Sequence, residues 1–290
     1  ELIVGVGGAT LTETNYPGEN GLKEEIYSSA REAAKLATQR ALADAGKTES
    51  DKPRMVLISG ATYLLPGTLK NPINERFIEG IESIVGNDVP VIGGLAADTG
   101  GQGAEEVFVN DQVLGYKSVS VTVIYTDVQM GLGYGFLGGF TPTTHKGTVT
   151  KAEGHVVYEI DGRPCAEVYD EWTDQGLGER INSTEWVIDF TIFNPLSKKI
   201  SEDDKVPGYE NKLIHYFNNP EEGVCKVAAE VEEGDTLYLL EGTDNMFVNR
   251  GAMTARMARV DARLEADKIT GGYIVFCAGC FLGIKEKDYR

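Results

Sequence analysis

Two stretches of this 290-residue chain carry side chains at spacings that could do chemistry. Cys277-Ala278-Gly279-Cys280 has the C-x-x-C spacing of a redox pair or half a metal site, and it follows an apolar run as a redox motif would. A thioredoxin-like motif opens a helix after its first cysteine, whereas Phe281-Leu282-Gly283 continues as an apolar turn. Tetrahedral zinc would need a second pair of ligands, and Cys165 and Cys225 stand far apart in the chain. The alternative to redox or metal chemistry is buried structural thiols. The second stretch is Val89 to Asp111, VPVIGGLAADTGGQGAEEVFVND, where β-branched residues lead into Gly93-Gly94 and Asp98 follows. A Gly-Gly corner carrying one carboxylate reads as the floor of a small-ligand pocket; the competing reading is a surface loop whose glycines take left-handed backbone.

Other catalytic patterns are missing. GVGGAT at residues 5–10 lacks the third glycine of a dinucleotide fingerprint, and there is no Walker A lysine and no G-x-S-x-G elbow. His145, His155 and His215 fall on separate expected strands, never at i, i+4 with a carboxylate, which is the pattern of ordinary strand histidines. Glu230, Glu232, Glu233 and Asp235 read as a solvated turn. With no nucleophile and base to pair, the chain reads as a non-enzyme.

Composition narrows the partners. The chain has 27 Lys+Arg against 45 Asp+Glu, a net charge of −18, so its surface repels phosphate backbones and anionic lipid. Nucleic acid is excluded as a partner, and no apolar run reaches bilayer length. Four cysteines do not make a disulfide scaffold, so a reducing, cytoplasmic setting is expected.

The elements that must hold these residues follow from periodicity. Residues 2–6 read as a strand, residues 22–45 as a helix with Ile26, Ala30, Ala33, Ala37 and Ala41 on one face and Gly46 as its stop, and residues 54–59 as the next strand. A second helix runs from Asn71-Pro72 to Gly86, with Ile73, Phe77, Ile81 and Ile84 on one face. The strand before Gly93 completes a strand–helix–strand–helix–strand order with parallel pairs. Antiparallel strands are then expected at residues 106–110, 118–126, 130–136, 146–151 and 155–160. The glycines of residues 131–139 leave one side of that strand bare, so it either curves sharply or has another body lying on it. Asp161-Gly162 makes a turn and residues 164–172 a Pro-started helix. Beyond a Gly-rich boundary at residues 173–184, strands are expected at 186–193, 212–217, 225–230 and 236–240, with a charged loop at 197–208. A helix capped by Thr243-Asp244 would present Met246, Ala252, Ala255, Met257, Val260 and Leu264, and a buried strand would occupy residues 273–277. The expected class is a mixed α/β fold of two related lobes, each with a mixed sheet flanked by helices and antiparallel strands in its second part. LIVGVGG, a helix and RMVLISGA echo TLYLLEG, a helix and GYIVFCAG, which places a cleft where the Gly-terminated strands approach.

VPVIGGLAAD with EVFVND, then GTVTKAEGHVVYEIDGRPCAEVYDEW, TIFNPLS, EEGDTLYLLEGTD and GGYIVFCAGC resemble the successive motifs of the FIST (F-box and intracellular signal transduction) domain. The resemblance runs from Gly5 to Gly283, with an amino-terminal FIST lobe over residues 1–178 and a carboxy-terminal lobe over 185–290. It implies a sensory module that binds amino acids or related metabolites and is coupled to a signalling protein such as a histidine kinase, chemoreceptor or cyclic-dinucleotide enzyme. Gly93, Gly94 and Asp98 match the family's Gly-Gly/Asp motif, and Cys277 and Gly279 its carboxy-terminal strand motif; these five are the expected ligand-binding residues. Two departures stand out: Cys280 occupies the place where the family often has Arg, and the family usually continues into a further GE-containing segment. No cofactor is expected, although some members bind haem as nitric-oxide sensors, which would make His145, His155 or His215 an axial ligand. The leading expectation is a small polar metabolite held at the lobe junction, with Asp98 pairing to an ammonium group; the third reading is an assembly protein whose Gly-rich strand is an oligomer interface.

Overall fold

The computed structural model describes residues 2–11, 18–61, 74–96, 106–115, 118–126, 132–136, 138–200, 208–218 and 222–277. They form two compact units, Glu1–Met130 and Gly131–Arg290.

The first unit is the alternating α/β layer that the apolar periodicity predicts. Its elements are β1 (Leu2–Thr10), α1 (Gly18–Asp44), β2 (Met55–Ala61), α2 (Asn74–Val85), β3 (Val91–Ala96), β4 (Val107–Val109), β5 (Gln112–Leu114) and β6 (Ser118–Thr126). The sheet order is β1-β6-β2-β3, with β6 antiparallel to both β1 and β2 and β3 parallel to β2. Strand β6 puts Val119, Val121 and Val123 into the core against Ala30, Ala34, Ala37 and Ala41 of α1 and Phe77 and Ile81 of α2. The alanines let α1 lie directly on β1: a Cβ at Gly5 would strike the Ala41 carbonyl, and one at Gly7 the Ala37 carbonyl. Gly46, at φ 65°, ends the helix as expected, and the Lys47 N–H returns to the Leu42 carbonyl at 2.8 Å. The hairpin β4–β5, half of which the sequence did not announce, turns through Asn110 at φ 54°.

The second unit is built on β7 (Thr141–Glu153), β8 (Val156–Ile160), β9 (Arg163–Pro164), α3 (Cys165–Trp172), a 3-10 turn at Gly178–Asn182, α4 (Ile188–Thr191), β10 (Leu196–Lys199), β11 (Tyr209–Lys212), β12 (Ile214–Asn218), β13 (Val224–Val227), β14 (Thr236–Glu241) and α5 (Asp244–Asp261). Its strands pair antiparallel in the order β11-β10-β14-β7-β8-β13-β12, with β9 beside β8. Strands β11 and β12 stand at opposite ends of that order yet are separated only by Leu213, so the sheet curls into a nearly closed barrel. Tyr169, Phe217, Ile160, Leu196, Leu237 and Leu239 fill it. Asp161 (φ 51°) and Gly162 (φ 73°) make the expected tight turn from β8 into β9. Because β7 and β8 share this sheet and core with β10–β14, the boundary read at residues 173–184 divides family motifs within one core.

Several expectations are corrected. Residues 186–193 contain α4 and no strand: Asp189 is gripped by Arg180 at 2.6 Å, and the buried Thr191 hydroxyl donates to the Ile214 carbonyl. A short apolar run cannot choose between helix and strand by period alone. The expected loop at 197–208 begins with strand β10, and the single strand expected at 212–217 is divided between β11 and β12. Gly93-Gly94 does not end its strand but lies inside β3. Residues 132–136 and 273–277 have no strand pairing, and Tyr273, Ile274, Val275 and Phe276 are exposed, not buried. Helix α5 buries Phe247 alone, and its expected apolar face stays largely in solvent.

The expected pair of related lobes, each with a mixed sheet, is corrected: the second unit's sheet is antiparallel throughout, and TLYLLEG is β14 of its barrel rather than a counterpart of β1. A local likeness lies at residues 132–136, which approach α5 as β1 approaches α1. A Cβ at Gly133 would strike the Ala258 carbonyl and one at Gly135 the Thr254 carbonyl, as Gly5 and Gly7 meet Ala41 and Ala37. The helix ends also match. Ala45 N–H to Ala41 O, Gly46 N–H to Ala43 O and Lys47 N–H to Leu42 O recur as Ala262 to Ala258, Arg263 to Val260 and Leu264 to Arg259. Arg263 takes φ 55° where Gly46 takes 65°.

Candidate functional site

Strand β3 runs parallel to β2 and in step with it, Gly93 opposite Ile58, Gly94 opposite Ser59 and Ala96 opposite Ala61. A side chain at Gly93 would collide with the Ile58 carbonyl, so this glycine serves close strand approach. The two carboxyl ends are therefore level, and the chain leaves them through residues 62–73 and 97–105. Asp98 stands two residues beyond β3, outside the described residues. In open α/β sheets, ligands sit in the crevice beyond the carboxyl ends of parallel strands.

The carboxy-terminal candidates lie in the other unit. Cys277 is exposed, while Gly279 and Cys280 fall outside the described residues. Cys165 and Cys225 are buried neighbours; burial pushes the Cys225 thiol up, and Cys165 beside it adds to the shift, which disfavours the thiolate at Cys225.

A polar cluster in the barrel went unnoticed in the sequence because its members are scattered. The ladder between β12 and β13 breaks register at His215, a bulge that lets both His215 and Tyr216 meet Trp186, with ring centroids 5.5 and 5.9 Å away. Burial first, then the charges of Lys226 and His155, hold the His215 imidazolium down to about 4, so the ring is neutral at pH 7. Burial pushes Tyr216 up to about 12, and its hydroxyl is buried without a hydrogen-bond partner among the described residues. The only sequence signal for this site is the strand segment IHYF, which places a histidine next to a tyrosine. His145 sits elsewhere, stacked on Trp172 at 5.9 Å. Among the described residues no group of three or more His, Cys, Asp or Glu could hold a metal ion, and no helix is long and apolar enough to cross a membrane.

The class these features define is a mixed α/β protein, a layer with a parallel strand pair followed by an antiparallel barrel-like sheet. The chain belongs to the FIST family, a proposed sensory domain: the family model described as the FIST N domain matches residues 4–163. A separate FIST C match is not found, so the carboxy-terminal part of the resemblance rests on its motifs. The chain is also similar to the uncharacterized protein MJ1623 of Methanocaldococcus jannaschii, 30% identical over an alignment of 183 residues that covers 57% of this chain and 33% of that protein. The match thus spans about a third of the length of the curated relative.

Proposed function

We propose that the chain is a non-catalytic sensory module that holds a small polar metabolite, an amino acid or a related amine, at the carboxyl edge of the β2–β3 pair and relays its presence to a signalling protein. One observation carries the reading: the level ends of two parallel strands, Ala61 beside Ala96, with the family-motif carboxylate Asp98 two residues on. A carboxylate there pairs with an ammonium group, and backbone N–H and C=O groups at strand ends supply directional hydrogen bonds for the rest of a small polar molecule. Membership of a family proposed to be sensory supports the same reading.

The test is thermal unfolding of the protein against a panel of amino acids, amines and carboxylates. A compound present at a hundredfold excess over its Kd should add about 2.7 kcal/mol to stability, a shift of a few degrees in Tm. The stabilising compound should carry an ammonium group and be recovered unchanged after long incubation. A panel in which nothing stabilises, or a hit that is consumed, contradicts the proposal.

A further inference from the structure

Val157 of β8, Cys225 of β13 and Phe217 of β12 stand opposite one another and belong to the barrel core. The neighbouring row, Val156, Lys226 and Tyr216, therefore points to the outer face. Water should reach an outward row, yet Lys226 is 6% and Tyr216 8% exposed. Between Ile214 and Phe217, which are both core residues, the bulge adds His215 on the same outer side as Tyr216. The His215 carbonyl accepts the Val187 N–H at 2.9 Å, which lays Trp186 against both the His215 and the Tyr216 ring. Trp186 itself is 56% exposed, so this corner of the barrel opens to solvent through the indole.

Two features of this corner serve no evident purpose in holding the barrel together. The Tyr216 hydroxyl is buried with no hydrogen-bond partner among the described residues, an unfavourable state for a polar group unless something joins it. The charges that act on the His215 ring, those of Lys226 and of protonated His155, are both positive, in a chain whose net charge is −18. A buried O–H donor beside a neutral imidazole, which offers one N–H, under a local positive potential suits an anion.

We propose that Tyr216, His215 and Trp186 form a binding site for a small organic monocarboxylate, with the Tyr216 O–H donating to one carboxylate oxygen, the His215 N–H donating to the other, and Lys226 supplying positive charge nearby. The class follows from the donors and the charge. Two donors on adjacent residues match the two oxygens of a carboxylate, whereas a phosphate brings more oxygens and a second charge that one lysine does not balance. The indole of Trp186 packs on the apolar part of the molecule. The inference is independent of the ammonium-binding reading at Asp98: it uses other residues, takes the opposite charge, and stands if that reading fails.

The probe is propionate, titrated into the whole chain while the indole N–H signals of its two tryptophans are followed by heteronuclear NMR, with Trp186→Phe to assign them. The Trp186 signal should shift with saturation, at a Kd on the order of 1 mM. The signal of Trp172, which stacks on His145, should stay in place. Propionamide, of the same shape without the charge, should give no saturable shift. Tyr216→Phe should weaken propionate binding at least about tenfold, because a hydrogen bond to a charged group is lost. The same variant should melt at or above the wild-type temperature, since the hydroxyl it removes has no partner among the described residues. Asp98→Asn should leave propionate binding unchanged. Absence of saturation, an equal response to propionamide, full affinity in Tyr216→Phe, or a clear loss of stability in that variant overturns the proposal. So does tighter binding of inorganic phosphate at the Trp186 signal, which changes the ligand class, or loss of propionate binding in Asp98→Asn, which assigns the anion to the other site.

Discussion

The carboxylate of Asp261, the last residue of α5, accepts the backbone N–H of Tyr134 at 3.2 Å, as Asp44 at the end of α1 accepts that of Val6 at 2.9 Å. Each aspartate fastens a Gly-x-Gly segment to the end of the helix that lies on it. A carboxylate at a helix carboxyl end opposes the macrodipole, so the hydrogen bond is what favours it there. Asp44→Ala and Asp261→Ala should each cost about 1 kcal/mol, whereas Asp44→Asn keeps an acceptor and sheds the unfavourable charge. Denaturant melts of the three variants check this; an Asn variant as weak as the Ala one speaks against the hydrogen bond.

The contact between helix and strand is tighter still. Gly7→Ala places a methyl group against the backbone of α1 and should destabilise the protein by about 1–3 kcal/mol or more, because backbone on both sides cannot yield. Gly115→Ala, at a glycine with open space around it, should be close to neutral by comparison. Equal melting temperatures for the two variants would remove the packing argument.

Acid should weaken the barrel through His215. Its folded pKa of about 4 lies below the ordinary value of 6.5, so the unfolded chain takes up the proton first. The corresponding stability is fully present above pH 6.5, falls as the pH drops from 6.5 to 4, and is gone below; its size is about 3 kcal/mol. His215→Asn should flatten the stability profile in that window. A profile unchanged by the substitution would show that the imidazole is not held neutral.

Thiol reactivity should follow burial. In a Cys280→Ser background, Cys277 should react rapidly with an aromatic disulfide, while Cys165 and Cys225 wait for unfolding. Rapid reaction of all three would contradict the buried pair.

Local pattern made the first unit legible. Ala30, Ala33, Ala37 and Ala41 mark the buried face of α1, Gly46 its end, and the alternation of SVSVTVIY the central strand, because each signal lies within one element. Asp161-Gly162 and the Thr243 cap, whose hydroxyl accepts the Met246 N–H, were equally readable. What escaped depends on partners distant in the chain. Residues 188–191 are helical because Arg180 and Ile214 hold Asp189 and Thr191, and β10 is a strand because β11 and β14 flank it. Residues 273–277 have the composition of a buried strand without a ladder to join. At the proposed site, Gly93 and Gly94 stood out by type, but their place in mid-strand follows from the parallel pairing with β2. The cluster at His215 needed a bulge that no local pattern signals.

The ligand proposal is tested most directly by calorimetric titration of an ammonium-bearing metabolite into the wild-type protein and into Asp98→Asn. The account predicts saturable one-to-one binding to the wild type, weakened at least about tenfold by the substitution, since a charge-assisted pair is worth roughly 1.5–3 kcal/mol. Equal affinity in the two proteins, or tighter binding of an anionic compound lacking the ammonium group, would contradict it.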